Sequence, residues 1–280
     1  MRLIVTKISV GLWAAAYIKN TIKQFSPSLE RPFVLGLPTG STVLDMYAIL
    51  RTFAKERLLN FQHILTFNMD EYIGISAGHP QSYHSYMRRN LFDHVNLLKE
   101  HIFMLNGQAE DFTQECTRYE NAITQAGGID LFIGGVGQNG HIAFNEPGTP
   151  FQSRTHLVDL TPSTREANAR FFQNDISRVP RQALTVGIGT ILEARELLFI
   201  ASGVKKAAAV AHLITQPPTP SWPLTALKLH QHATLLADLD ACVLLSGDVK
   251  TQLDEAMQTD PHAEQWILNV ETPNDTHLNS

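Results

Sequence analysis

The segment Phe33-Val34-Leu35-Gly36-Leu37-Pro38-Thr39-Gly40-Ser41-Thr42 carries an apolar run straight into a turn of small and hydroxylated residues. Phe33 to Leu37 contains no polar side chain, which is the pattern of a strand buried on both faces. From Thr42 to Phe53 the apolar residues recur at helix spacing. A buried strand, a tight turn and a helix form the start of a βαβ unit. The turn offers backbone N–H groups, the hydroxyls of Thr39, Ser41 and Thr42, close approach at Gly40, and the positive end of a helix dipole. Those are the elements of a phosphate cradle. It is not a P-loop, because no lysine follows Gly40. An ordinary turn with Ser41 or Thr42 as N-cap is the competing reading.

The same alternation continues on either side. Ile64–Phe67, Ile129–Ile133, Leu184–Ile188, Leu197–Ile200 and Ala241–Leu245 read as further buried strands, while 10–25 and 205–214 have helix spacing. This predicts an α/β fold whose mostly parallel sheet carries helices on both faces. No Gly/Ser linker, repeat or low-complexity stretch interrupts it, so residues 1–280 are expected to form a single domain. Pro217–Pro220 reads as a stiff loop, and the polar 272–280 as a frayed end. The stretch 145–180 departs from the rhythm. It lacks a strong strand run, holds four prolines and Arg154, Arg165, Arg170 and Arg178, and reads as a lid or binding loop.

Composition narrows the class. Hydrophobic residues make up 44% and charged residues 18%, enough for a full core and too few charges for a disordered chain. The net charge of −5 argues against a broad basic face for nucleic acid. Cys116 and Cys242 are too few for a disulfide framework or a Cys-rich zinc site. Met1 to Lys7 turns polar too soon for a signal peptide, and no apolar run reaches the roughly 18 residues of a membrane helix. The expectation is a cytoplasmic enzyme with a small-molecule substrate and neither a membrane nor a nucleic-acid partner.

Two further stretches carry chemistry. Thr66-Phe67-Asn68-Met69-Asp70-Glu71-Tyr72 ends a buried strand, where open α/β sheets bind ligands, and one of its adjacent carboxylates can act as a base. Gly134 to Gly148 also follows a buried strand. Gly135, Gly137 and Gly140 match G-x-G-x-x-G with Asp159 downstream, but Pro147 stops the helix that a dinucleotide site requires. The favoured reading is a glycine-shaped loop aiming His141 and Glu146 into a cleft. His79, His84, His230 and His232 lack metal-site spacing. Lys206 opens a helix after Ser202-Gly203, as a second phosphate contact or a solvated helix start.

Taken together, RPFVLGLPTGST, TFNMDEY, HPQSYHSYM, GGVGQNGHIAFNEPG, SRT, ALTVGIGT and SGVKKA closely resemble the glucosamine-6-phosphate deaminase family, also called glucosamine-6-phosphate isomerase. The likeness runs from Met1 to about residue 250. It implies a Rossmann-like fold, no metal or organic cofactor, and conversion of glucosamine 6-phosphate and water to fructose 6-phosphate and ammonium. By resemblance Asp70 is the base that moves a proton from C2 to C1, His141 opens the sugar ring, and Glu146 is its carboxylate partner. Thr39, Gly40, Ser41 and Thr42 match the phosphate loop, Arg170 and Lys206 the other phosphate ligands, and 156–185 the lid. Homo-oligomers occur in the family.

Two positions depart from it. Asn139 stands where many members carry the Asp of a carboxylate–His–carboxylate relay. His156 and Val158 stand where allosterically activated hexameric members bind the phosphate of N-acetylglucosamine 6-phosphate with basic residues. Galactosamine-6-phosphate deaminase is an alternative that the motifs leave open. 6-Phosphogluconolactonase shares a Gly-x-x-Gly-His loop but needs no isomerisation base, so FNMDEY and FNEPG argue against it. A non-catalytic sugar-phosphate sensor would be expected to lose Asp70 or His141, and both are present.

Overall fold

The computed structural model describes residues 1–260 and 262–270. In chain order the elements are β1 (Arg2–Thr6), α1 (Val10–Phe25), β2 (Phe33–Leu37), α2 (Leu44–Lys55), β3 (Ile64–Asn68), β4 (Asp70–Tyr72), α3 (Tyr83–Asn90), β5 (Ile102–Phe103), α4 (Phe112–Gln125) and β6 (Leu131–Gly135). They continue as β7 (His156–Asp159), α5 (Pro162–Ala169), β8 (Gln182–Thr185), α6 (Ile188–Leu192), β9 (Leu197–Ala201), α7 (Ala207–Thr215), β10 (Ala233–Asp238), α8 (Gly247–Thr259) and β11 (Gln265–Asn269). The expectation of frayed residues at 272–280 lies outside the described residues. No helix among the described residues is long and apolar enough to cross a membrane.

The main sheet has eight strands in the order β11-β1-β10-β9-β6-β2-β3-β5, parallel throughout except for antiparallel β11 at the edge. Alternate residues of one strand feed opposite cores. Leu197, Phe199 and Ala201 of β9 face one core, which draws on α4 and α7, while Leu198 and Ile200 face the other, built with α1 and α2. That two-sided burial explains the uninterrupted apolar runs. α1 starts where the Ser9 hydroxyl accepts the Gly11 and Leu12 N–H groups, and ends at left-handed Ser26. Gly11 lets α1 lie against α2, since a Cβ there would meet Asp45 at 2.6 Å.

Two predicted strands are corrected. Leu184–Ile188 does not join the main sheet. β8 pairs antiparallel with β4 and β7 in a small three-stranded sheet, and Ile188 already begins α6. Ala241–Leu245 is no strand: a single 3-10 turn covers Asp240–Cys242, and Val243 and Leu244 are exposed. The real strand is β10, just before it, which pairs with β1 and β9. The lid segment also contains a strand that the prolines disguised, β7, half exposed and therefore without an apolar run. Around this small sheet Tyr72, Phe144, Leu160, Ala169, Phe172, Val179 and Ala183 form a core of their own.

The order of the strands places the ligand crevice. After β2 the chain proceeds outward through β3 and β5, then returns to the other side of β2 with β6 and moves away through β9 and β10. β2 and β6 therefore flank a topological switch point, and the loops leaving their carboxyl ends diverge to leave a cleft.

Candidate active site

A cavity of about 300 Å³ opens at that switch point. This is the lower end of the range for ligand pockets. Its walls are the turns after β2, β3, β6 and β9, roofed by α5 and the residues following it. Asp70, His141, Asn139, Arg170, Lys206 and the whole of Thr39–Thr42 line it, so the structure gathers nearly every predicted site residue into one place.

The turn after β2 keeps its hydroxyls available. Gly40 takes φ +120°, a conformation costly for other residues, and caps a 3-10 turn over Ser41–Val43 with no side-chain cap. Neither Ser41 nor Thr42 is the N-cap of α2, contrary to the competing reading. Two tyrosines brace the turn from behind. Tyr47 donates its hydroxyl to the Pro38 carbonyl, and Tyr86 donates to the Gly40 carbonyl at 2.6 Å. Arg170, just past α5, reaches across to donate to the Ser41 hydroxyl at 3.3 Å. Lys206 stands at the start of α7, on a turn that Asp238 shapes by accepting from the Ser202 hydroxyl and the Gly203 N–H. Burial, then the neighbouring Arg170 and Lys205 charges, lower the Lys206 ammonium from its ordinary pKa. Two cations are thus drawn together beside hydroxyls and backbone N–H groups, the donor set that suits an anion.

Asp70 lies at the junction of the two sheets. β3 ends at Asn68, and at Asp70 the chain begins pairing with Thr185 of β8. Asp70 is 6% exposed, and its Oδ1 is buried without a hydrogen-bond partner. Burial, then the adjacent Glu71 charge, raises its carboxyl well above the ordinary range. The two neighbours have different employment. Glu71 accepts the Tyr83 and His84 N–H groups at 3.0 and 3.1 Å, and Nδ1 of His84 at 2.7 Å, so it tethers the first turn of α3. Asp70 alone of the pair faces the cavity.

The loop after β6 contains no helix, which removes the dinucleotide reading. Gly140 turns it at φ +77°, and Asn145, fully buried, ties it down by donating to the Ile142 and Val186 carbonyls at 2.9 and 2.8 Å. Burial lowers the His141 imidazole from its ordinary pKa; Glu146 opposes this, and Lys206 adds to it. This favours the neutral imidazole. Its Nδ1 lies 3.8 Å from Glu146 Oε2 and has no hydrogen-bond partner. Asn139 makes no hydrogen bond to the imidazole Nδ1. It donates to Glu146 Oε2 at 2.9 Å and accepts the His141 backbone N–H at 3.2 Å. The other Glu146 oxygen receives the hydroxyls of Thr161 and Thr164.

Thr161, Thr164, Tyr47, Tyr86 and Tyr83 are cavity or supporting residues that the sequence did not single out. Only Thr161 carried a local signal, a hydroxyl directly before Pro162, the arrangement of an N-cap followed by proline at the first helical position. The four histidines set aside above have ordinary contacts: His79 accepts the Gln81 N–H, His84 meets Glu71, Nε2 of His230 meets the Ala194 carbonyl, and His232 packs edge-on to His230.

A family model described as glucosamine-6-phosphate isomerases/6-phosphogluconolactonase matches residues 9–236. A curated glucosamine-6-phosphate deaminase of Porphyromonas gingivalis is 50% identical over 236 residues, 84% of this chain and 90% of that protein. One from Fusobacterium nucleatum is 51% identical over 246 residues, 88% of this chain and 90% of that protein. A solved structure of a monomeric glucosamine-6-phosphate deaminase superposes with a TM-score of 0.83 at 41% identity, covering 87% of this chain and all of that one. A 6-phosphogluconolactonase from Thermotoga maritima shares the fold at a TM-score of 0.65 and 18% identity. With its switch-point cleft and its match across most of the length, the chain belongs to the glucosamine-6-phosphate isomerase/6-phosphogluconolactonase family.

Proposed function

We propose that this protein is a glucosamine-6-phosphate deaminase that uses Asp70, His141 and Glu146 for proton transfer and the Thr39–Thr42 turn, Arg170 and Lys206 for the phosphate. The observation that carries the reading is that a buried carboxyl and a neutral imidazole line the same cavity as a paired-cation subsite. A lactonase has no use for a base poised against a carbon acid.

The phosphate docks on the turn, Arg170 and Lys206, and its binding energy, remote from the reacting carbons, orients the sugar. His141, neutral, takes the proton from the C1 hydroxyl and returns one to the ring oxygen, which opens the ring and exposes a C1 carbonyl. Glu146 stabilises the imidazolium formed in passing. The carbonyl acidifies the C2 hydrogen. Asp70 removes that proton while O1 takes up the proton that the substrate ammonium gives up, leaving an enolamine, and Asp70 then delivers its proton to C1. The substrate ammonium beside Asp70 favours its ionised form in the complex. The resulting C2 imine adds water and expels ammonia, leaving fructose 6-phosphate and ammonium.

Purified protein incubated with glucosamine 6-phosphate should release ammonium and fructose 6-phosphate in equal amounts, also after dialysis against a chelator. Hydrolysis of 6-phosphogluconolactone without ammonium release from the amino sugar would overturn the reading. Faster turnover of galactosamine 6-phosphate would reassign the substrate.

A further inference from the structure

Glu146 is approached by three side-chain donors, and none of them is His141. Thr164, 5% exposed, donates its hydroxyl to Oε1, and Thr161 donates to the same oxygen at 3.2 Å. The two hydroxyl oxygens lie 3.1 Å apart. Asn139 holds Oε2 at 2.9 Å, while His141 Nδ1 waits at 3.8 Å, about 1 Å beyond a good hydrogen bond. Both threonines belong to the start of α5, where Thr161 is the N-cap and Thr164 lies in the first turn.

The other end of α5 runs straight into Arg170, which bonds Ser41 of the phosphate turn. Eight residues of helix make a strut about 12 Å long. Its hydroxyl end grips Glu146, and its cationic end reaches the phosphate subsite. Phe144 of the catalytic loop packs in one small core with Ala169 and Phe172, so helix and loop are packed together as one body.

We propose that Thr161 and Thr164 are positioning residues through which α5 sets the Glu146 carboxylate against His141, the ring-opening imidazole. This rests on the deaminase reading above. With the threonines on Oε1 and Asn139 on Oε2, the carboxylate is held at 3.8 Å from His141 Nδ1, where it can stabilise the imidazolium without taking its proton.

Thr161 also caps the helix, so its loss would disturb α5 directly; Thr164 is the cleaner test. Wild type, Thr164→Val, Thr164→Ala and Thr164→Ser are compared in steady-state kinetics with glucosamine 6-phosphate. In parallel, calorimetry measures binding of the open-chain amino alditol phosphate obtained by borohydride reduction of the substrate, which needs no ring opening. Thr164→Val and Thr164→Ala should lower kcat by roughly 10- to 150-fold, the loss of one hydrogen bond to a charged group. KM and alditol affinity should stay within about three-fold, and Thr164→Ser should recover most of kcat, because the hydroxyl and not the methyl does the work. Wild-type kcat in whichever of the valine and alanine variants folds would overturn the proposal. So would an equal loss in the serine variant, or alditol binding that falls in step with kcat. An inactive wild type would overturn the deaminase reading and this one with it; an active wild type beside an unaffected Thr164→Val overturns this one alone.

Discussion

A Cβ atom at position 137 would lie 2.4 Å from the imidazole of His141, so the ring occupies space that only glycine leaves. Gly137 also donates its N–H to the His141 carbonyl at 2.9 Å, which closes the loop around the same residue. Gly137→Ala should therefore displace the imidazole and lower kcat by about 10²-fold, the usual consequence of a misplacement near 1 Å. The proposed phosphate ligands, the Thr39–Thr42 turn, Arg170 and Lys206, stand on other elements, so affinity for the reduced open-chain substrate should hold. Normal kcat in this variant would show that His141 has room the structure does not give it.

Asp70 stands where function and stability oppose each other. Its carboxyl is buried, one oxygen is unpartnered, and Glu71 repels its charge. The folded protein keeps this proton at pH values where the unfolded chain has lost it, so stability falls as pH rises from the ordinary value of 3.8 through the raised one. Asp70→Asn removes that cost. Thermal melts at neutral pH should show a Tm higher by at least about 2 °C, while turnover and solvent deuterium incorporation at C1 of the product drop by about 10²- to 10⁴-fold. A lower Tm with retained turnover would contradict both halves of the argument.

The pH profile of kcat/KM should be narrower than the side chains' ordinary values suggest. If Asp70 is the base as proposed, the acid limb should lie above the usual aspartate value of 3.8, because that carboxyl must ionise and its pKa is raised. If Lys206 holds the phosphate as proposed, the alkaline limb should lie below 10.5, because the pKa of that ammonium is lowered. Lys206→Arg keeps the charge to higher pH and should move the alkaline limb upward. An alkaline limb unmoved by that change would assign it to another group.

Activation by N-acetylglucosamine 6-phosphate should be absent. Of the positions that supply cations in regulated family members, His156 turns Nδ1 to the Arg154 carbonyl at 2.7 Å, and Val158 packs against the small core of the lid. Arg154 offers no substitute, since its guanidinium is engaged by Glu120 on one side and Glu193 on the other. Without differential affinity for two states a ligand shifts nothing. Substrate saturation should be hyperbolic and unchanged by that effector below its competitive range. A clear fall in half-saturating substrate would mean that the Arg154 pairs open to receive it.

By itself the sequence determined the parallel α/β core, and its motifs pointed by resemblance to the Thr39–Thr42 turn, Asp70, His141 and Glu146 as candidates. The local signals are physical: Phe33 to Leu37 is apolar because both faces of β2 are covered, Gly40 takes a positive φ that other residues avoid, and a side chain at Gly137 would strike His141. The period of a strand or helix and the demands of a tight turn act over a few residues, so they are readable in order along the chain. Only the tertiary structure decided the rest. It sent Asp70 into the cavity and Glu71 to the start of α3, a choice between neighbours made by the pairing of β4 with β8 more than a hundred residues on. It took β8 out of the main sheet, made a turn of the apolar Ala241–Leu245, and put Asn139 on Glu146 rather than on the imidazole. It brought Thr161 and Thr164 onto the same carboxylate. An apolar run records that a segment is buried and a hydroxyl records that it can donate, but the partner is set by packing between distant segments, which no local pattern encodes.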